Sequence, residues 1–138
     1  MLPVKGFKMT RRFGVPGPYS CGHHEGVDYG CPVGTPVVAA TDGLVVATGS
    51  PWGDAFGHDS PLIQHTVKIN GVPHTVWAIY AHMSHCAVKP GEHVKKGQVI
   101  GLSGAEGHVT GPHVHFEMQM TREWHSGGGR NPYWLLKS

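Results

Sequence analysis

The sequence has no apolar run long enough for a membrane span, no CxxC pair and no stretch of more than two basic residues. Each absence removes a class of function. A spanning helix needs about 20 apolar residues, so membrane insertion is not expected. Without CxxC a thiolate zinc knuckle is not expected either. Three cysteines, Cys21, Cys31 and Cys86, cannot form a fully paired disulfide framework. Cys21 and Cys31 bracket a histidine motif and are open to forming one bridge or staying free; Cys86 reads as free and structural. Arg11-Arg12 and Lys95-Lys96 are the only basic pairs, and a net charge of +2 is far from a nucleic-acid-binding stripe. The N-terminal MLPVKGFKMTRRFG lacks the apolar core of a signal peptide, so the chain is expected to be a mature fragment or to reach its site of action by another route. No long amphipathic helix, internal repeat or composition break appears. Residues 1–138 are therefore expected to form a single domain with one modest core.

What is abundant is turn formers: 21 glycines and 11 prolines, without a fixed period, between short apolar runs. The pattern predicts an all-β fold, a small antiparallel sheet or sandwich with little helix. Residues 24–31 and 113–120 read as alternating strands. Residues 35–48 read as a hairpin turning at Asp42-Gly43, and 62–70 with 73–82 as a second hairpin turning at Asn70-Gly71. Residues 3–14 read as irregular, 87–101 as short strands and turns, and 49–61 and 121–131 as loops. The closing PYWLLKS packs back on the core or begins a linker.

Histidine is over-supplied, with 12 in the chain, and two motifs concentrate the chemistry. In His24-Glu25-Gly26-Val27-Asp28, a strand puts positions 24, 26 and 28 on one face, with Gly26 leaving room for an ion between His and Asp. In His113-Val114-His115, both imidazoles share a face and Val114 and Phe116 take the other. Joined, the strands offer His, Asp and His as ligands with one more histidine beside them. Three N/O ligands leave a fourth position, the pattern of a catalytic zinc site. His82, in Tyr80-Ala81-His82-Met83, would pair with His113 as two non-ligand imidazoles. One takes a proton from water; the other stabilises or protonates the tetrahedral intermediate.

These segments, HEGVD at 24–28, YAHM at 80–83 and GPHVHFE at 111–117, resemble in kind and order the lysostaphin/LytM-type zinc endopeptidases. TPVVAATDGLVV and VKPGEHVKKGQVIGLSG match the family's style between them, so the resemblance spans residues 3–135. It implies His24, Asp28 and His115 as ligands of one zinc ion, and His82 and His113 as the catalytic pair. It implies a loop-walled groove, with Trp52, Phe56 and Trp124 as candidate contacts, and a substrate among the peptides of bacterial peptidoglycan. The family often has an arginine shortly before the first ligand, whereas here His23 stands directly before His24; only His24 has Gly and Asp at the right offsets. Met83 and Val114 replace leucines.

Tyr80 is read equally as ring packing and as substrate contact, Glu117 as structural or supporting a ligand, Asp42 as a turn residue. His58, His65, His74, His85, His93, His108 and His125 are expected to have no catalytic role. One rival reads H-E-x-x-D at 24–28 as a helical zincin motif with Glu25 as base. Another reads VKKGQVIG as a carrier-domain turn with no metal. A third is a non-hydrolytic wall-binding or regulatory domain of the same fold. The favoured reading expects a monomer acting at the bacterial cell wall, extracellular or periplasmic, with phage and bacterial origin both open, and no nucleic-acid partner.

Overall fold

The computed structural model describes residues 1–49, 54–107, 109 and 111–138. In chain order its strands are β1 (Met9–Arg11), β2 (Val27–Gly30), β3 (Pro36–Val38), β4 (Gly43–Ala47), β5 (Leu62–Ile69), β6 (Val72–Ala81), β7 (Met83–Cys86), β8 (His93–Val94), β9 (Val99–Ser103), β10 (His113–Gln119) and β11 (Gly129–Arg130). A 3-10 turn covers Asp54–Phe56, and a short helix α1 covers Tyr133–Lys137. The larger sheet runs β1-β2-β10-β6-β5-β4-β8, with β11 also on β10; the smaller runs β3-β9-β7. Every strand pairing is antiparallel. The all-β expectation therefore holds. Among the described residues no helix is long and apolar enough to cross a membrane.

Side-chain alternation sets the layers. Along β10, Val114, Phe116 and Met118 enter the main core with Val27, Tyr29, Val37, Ile63, Tyr80, Met83 and Ile100. Each such side chain, fully buried, contributes about 1.5–3 kcal/mol. The opposite face of β10 carries His113, His115 and Glu117. There Ile79 and Ala81 of β6 join Leu62, Phe56 and Trp124 in a second, smaller apolar cluster. The site is thus built on the outer face of the larger sheet, backed by the core. Leu135 of α1 is fully buried, so the C-terminal segment packs back on the core.

The Asn70-Gly71 hairpin forms as its residue types predict, with φ of 51° and 81° and β5 paired to β6 along its whole length. The Asp42-Gly43 hairpin does not form. β3 pairs with β9 in the smaller sheet, and β4 pairs with β5 and β8 in the larger. The dipeptide marks a crossing between sheets. A Cβ on Gly43 would lie 2.7 Å from the Gln64 carbonyl and the His65 ring, so its glycine serves close backbone approach. The Asp42 carboxylate accepts from the Lys96 amide at 2.8 Å. The strand expected at 24–31 begins only at Val27; His24 and Glu25 precede it, and the chain bends at Gly26. Residues 3–14, expected to be irregular, contain β1, which pairs with β2. β7 is separated from β6 by His82, whose φ of 64° turns the chain from the larger sheet into the smaller.

Below β6 lies a buried polar chain. The Ala40 amide donates to the Tyr80 hydroxyl at 3.0 Å. That hydroxyl donates to His65 Nε2 at 2.9 Å, and His65 Nδ1 donates to the Asp42 carbonyl at 3.0 Å. Tyr80 is fully buried, so of its two readings the structure takes ring packing. This chain is complete only with a neutral His65. Burial pushes His65 down to about 4, more than the Asp42 carbonyl raises it. Because the folded value lies below the ordinary 6.5, its contribution is whole above pH 6.5 and lost as pH falls toward 4. A shift of that size corresponds to about 3 kcal/mol. Urea unfolding at pH 7.5 and 4.5 should show that loss, and His65→Gln should flatten the slope between them; an unchanged slope would place the acid sensitivity elsewhere.

Candidate metal centre

The site is a transverse row across the larger sheet. In β-sheet register Ala81 of β6 opposes His115 of β10, His115 opposes Asp28 of β2, and Asp28 opposes Arg11 of β1. Opposed residues share a face, so the side chains stand together. His113 is one pleat along β10, opposite Gly30. His82 follows Ala81 directly. His24 arrives from outside the ladder, held by backbone bonds from its amide to Val15 and from the Gly14 amide to its carbonyl.

Gly26 is required by the close packing of this row. A Cβ there would meet the Phe116 carbonyl at 2.5 Å and the His115 ring at 2.9 Å. The empty space read from the sequence is therefore filled by the His115 imidazole, not held open for an ion.

Each imidazole has one nitrogen committed and the other turned inward. A carbonyl only accepts, so the ring nitrogen facing it carries the proton. His24 Nδ1 donates to the Arg12 carbonyl at 3.0 Å, His82 Nδ1 to Glu106 at 2.6 Å and His113 Nδ1 to Gly111 at 3.0 Å. His115 Nε2 donates to Glu117 Oε1 at 2.9 Å. The opposite nitrogens of three rings converge on one oxygen, Asp28 Oδ1: His115 Nδ1 at 2.8 Å, His24 Nε2 at 3.2 Å and His113 Nε2 at 3.7 Å. One ligand atom from each of His24, Asp28 and His115 lies within 4.8 Å of the others.

This donor set fits a zinc ion. With His24 Nδ1 committed to the Arg12 carbonyl, its Nε2 faces Asp28 Oδ1 at 3.2 Å, so an imidazole and a carboxylate stand where a dication could take both as ligands. The electrostatics agree. Burial alone would raise Asp28, but hydrogen bonds from His115 and then His24 hold its carboxyl well below the usual carboxylate range. Burial likewise would lower His115, but Asp28 and Glu117 together raise it to about 9. Burial takes His82 down to about 4, against the Glu106 carbonyl, so its inward nitrogen keeps its lone pair near neutral pH. His82 and His113 stand side by side, ring centroids 4.9 Å apart.

Behind the row is a supporting layer. Glu117 is 1% exposed. While one oxygen holds His115, the other accepts from Trp124 Nε1 at 2.7 Å and Gln119 Nε2 at 2.7 Å. Phe56 stacks on His115 with centroids 5.5 Å apart and planes 12° apart, and meets Trp124 edge-on. Phe56 and Trp124 line a cleft of about 730 Å³ over the site, with Tyr19, Arg11, Val109 and Pro112. Trp52 lies outside the described residues, as does His108. Glu25 does not serve as a base in a helix. It precedes a strand, and its Oε1 accepts from the Gly127 and Gly129 amides at 2.7 and 3.1 Å, tying down the glycine-rich loop. His23 packs edge-on against Phe13, away from the row. All three cysteines are free, so the Cys21–Cys31 bridge is not formed.

The sequence reading missed the carbonyls of Arg12, Glu106 and Gly111, because a backbone acceptor has no residue signature. It also passed over Arg11 and Tyr19, where the one available signal was a basic residue ahead of the first motif.

The sequence profile of peptidase family M23 matches residues 22–127. The glycyl-glycine endopeptidase ALE-1 of Staphylococcus capitis is 40% identical over 127 residues, covering 88% of this chain and 32% of that protein. The peptidoglycan DD-endopeptidase ShyA of Vibrio cholerae is 41% identical over 95 residues, covering 69% of this chain and 20% of its own length. The chain thus spans a third or less of these relatives. In structure it is similar to the catalytic domain of lysostaphin from Staphylococcus simulans, with a TM-score of 0.77 and 33% identity over 96% of this chain and 93% of that one. A profile match over most of the chain, together with a shared fold at this identity, means that the chain belongs to peptidase family M23.

Proposed function

We propose that this chain is a zinc-dependent endopeptidase that hydrolyses peptide bonds in bacterial peptidoglycan, acting as a monomeric catalytic domain at the cell wall. The observation that carries the reading is the convergence of committed imidazoles on Asp28 Oδ1 at the floor of a cleft. His24 through Nε2, Asp28 through its carboxylate and His115 through Nδ1 would hold one zinc ion. When bound, zinc supplies a Lewis acid and lowers the pKa of a water it holds to about 7.

The chain's own residues do the rest. Glu117 fixes the His115 ring and makes it a better donor. His82 and His113 present Nε2 to the site because their Nδ1 atoms are committed to carbonyls. One accepts a proton at Nε2 from the attacking water and passes it to the leaving amine; the other, as an imidazolium with both nitrogens protonated, would donate from Nε2 to the oxygen that gains charge. Phe56 and Trp124 wall the cleft. The relatives support peptidoglycan peptides as the substrate class: one is named for glycyl-glycine bonds and another for DD-bonds.

The test is release of soluble peptide from purified peptidoglycan, followed by mass spectrometry, with and without chelator. Release that stops with chelator and returns with zinc is the expected result, and the new termini name the bond. A folded, zinc-loaded chain that releases nothing from any wall type would be a wall-binding or regulatory domain of the same fold.

A further inference from the structure

We propose that Arg11 is a specificity residue of this cleft and binds a free carboxylate on the wall peptide beside the bond to be cut. The inference rests on the endopeptidase reading and narrows its substrate to acidic stem peptides rather than neutral glycine bridges.

The position of Arg11 comes from a register shift. On β1, Met9 opposes Tyr29, and a regular ladder would then set Thr10 opposite Asp28. Instead Arg11 opposes Asp28, with one extra residue between. A bulge of this kind re-aims a side chain, and bulges recur beside active sites. Here it makes Arg11 the outer member of the row that holds Asp28 and His115, and it lines the same cleft.

Its surroundings leave its charge unspent. Arg11 Nη1 donates to the Tyr19 hydroxyl, and the Tyr19 ring leans on His24 with centroids 5.3 Å apart. Tyr19 thus positions the guanidinium next to a proposed ligand without neutralising it. Among the described residues no carboxylate pairs with Arg11, and in the row itself Asp28 Oδ1 is taken by His24 and His115. The neighbouring wall residues Thr10, Pro18 and Ser20 carry no charge. A guanidinium with spare, planar donors matches a carboxylate in two-point contact. A glycine bridge offers no such group; an acidic stem peptide does.

The experiment compares two synthetic stem peptides that differ only in whether the carboxyl group beside the scissile bond is free or amidated. With the zinc-loaded chain, kcat/KM for the free acid should exceed that for the amide by about tenfold, the size of one charge-assisted hydrogen bond at a partly exposed site. Arg11→Gln should bring the ratio to within about twofold of unity, chiefly through KM, and Arg11→Lys should restore part of it. Lys89→Gln, on a distant turn, should keep the parental ratio. Equal rates on both peptides, a preference that survives in Arg11→Gln, or faster cleavage of a pentaglycine peptide would overturn the proposal while leaving the endopeptidase reading standing. Hydrolysis of no peptide and no isolated wall would remove both.

Discussion

An Asp28→Ala protein should bind no stoichiometric zinc after dialysis and should release wall peptide at least roughly a thousand-fold more slowly than the parent. Asp28 Oδ1 is the point on which His115 Nδ1, His24 Nε2 and His113 Nε2 converge. It is also the only anionic donor of the set; Glu117 is occupied on the far side of His115. Its removal leaves imidazoles with no charge to complement a dication. It also leaves His115 Nδ1 without its 2.8 Å partner. Metal content by atomic absorption and peptide release should fall together, while circular dichroism shows the sheets intact. A folded Asp28→Ala protein with one zinc and parental activity would sink the ligand set.

His82→Ala and His113→Ala should do the opposite to metal and the same to rate. Each should retain zinc and lose about 10²–10⁴-fold in turnover, the range for a general acid or base. The basis is the orientation of the two rings. Their Nδ1 atoms are spent on the Glu106 and Gly111 carbonyls, as that of His24 is on Arg12, but neither ring is among the three residues whose ligand atoms cluster. Metal content then separates the classes: ligands lose zinc and rate, proton carriers lose rate alone. Loss of zinc from either variant would make that histidine a ligand and would require a different site.

Much of this site was legible because its spacing is strand spacing. His113 and His115 share a face of β10 and Val114 and Phe116 fill the core behind them, as period-2 alternation requires. The 24–28 motif worked less directly. His24 is not on the strand, and it reaches Asp28 only because backbone bonds to Val15 and Gly14 hold it there. The apolar runs around Asp42-Gly43 look like a hairpin from either side. Their true partners, β9 on one side and β5 and β8 on the other, are remote in sequence. Local propensity cannot tell a turn from a crossing between sheets. The same holds for Arg11, whose place in the row depends on one extra residue in β1, and for the carbonyls that orient the histidines. Register and backbone acceptors are properties of the assembled sheet, and they decided the details.

His82 stands at a left-handed backbone position between β6 and β7. Glycine adopts that conformation freely, whereas another residue there costs about 1 kcal/mol. The buried ring offsets that cost with its 2.6 Å hydrogen bond to the Glu106 carbonyl and its packing against Phe56 and His113. A glycine at this junction would trade backbone strain for a cavity and an unpaired Glu106 carbonyl, so the surroundings of the proposed proton carrier hold an imidazole where the backbone alone would favour glycine.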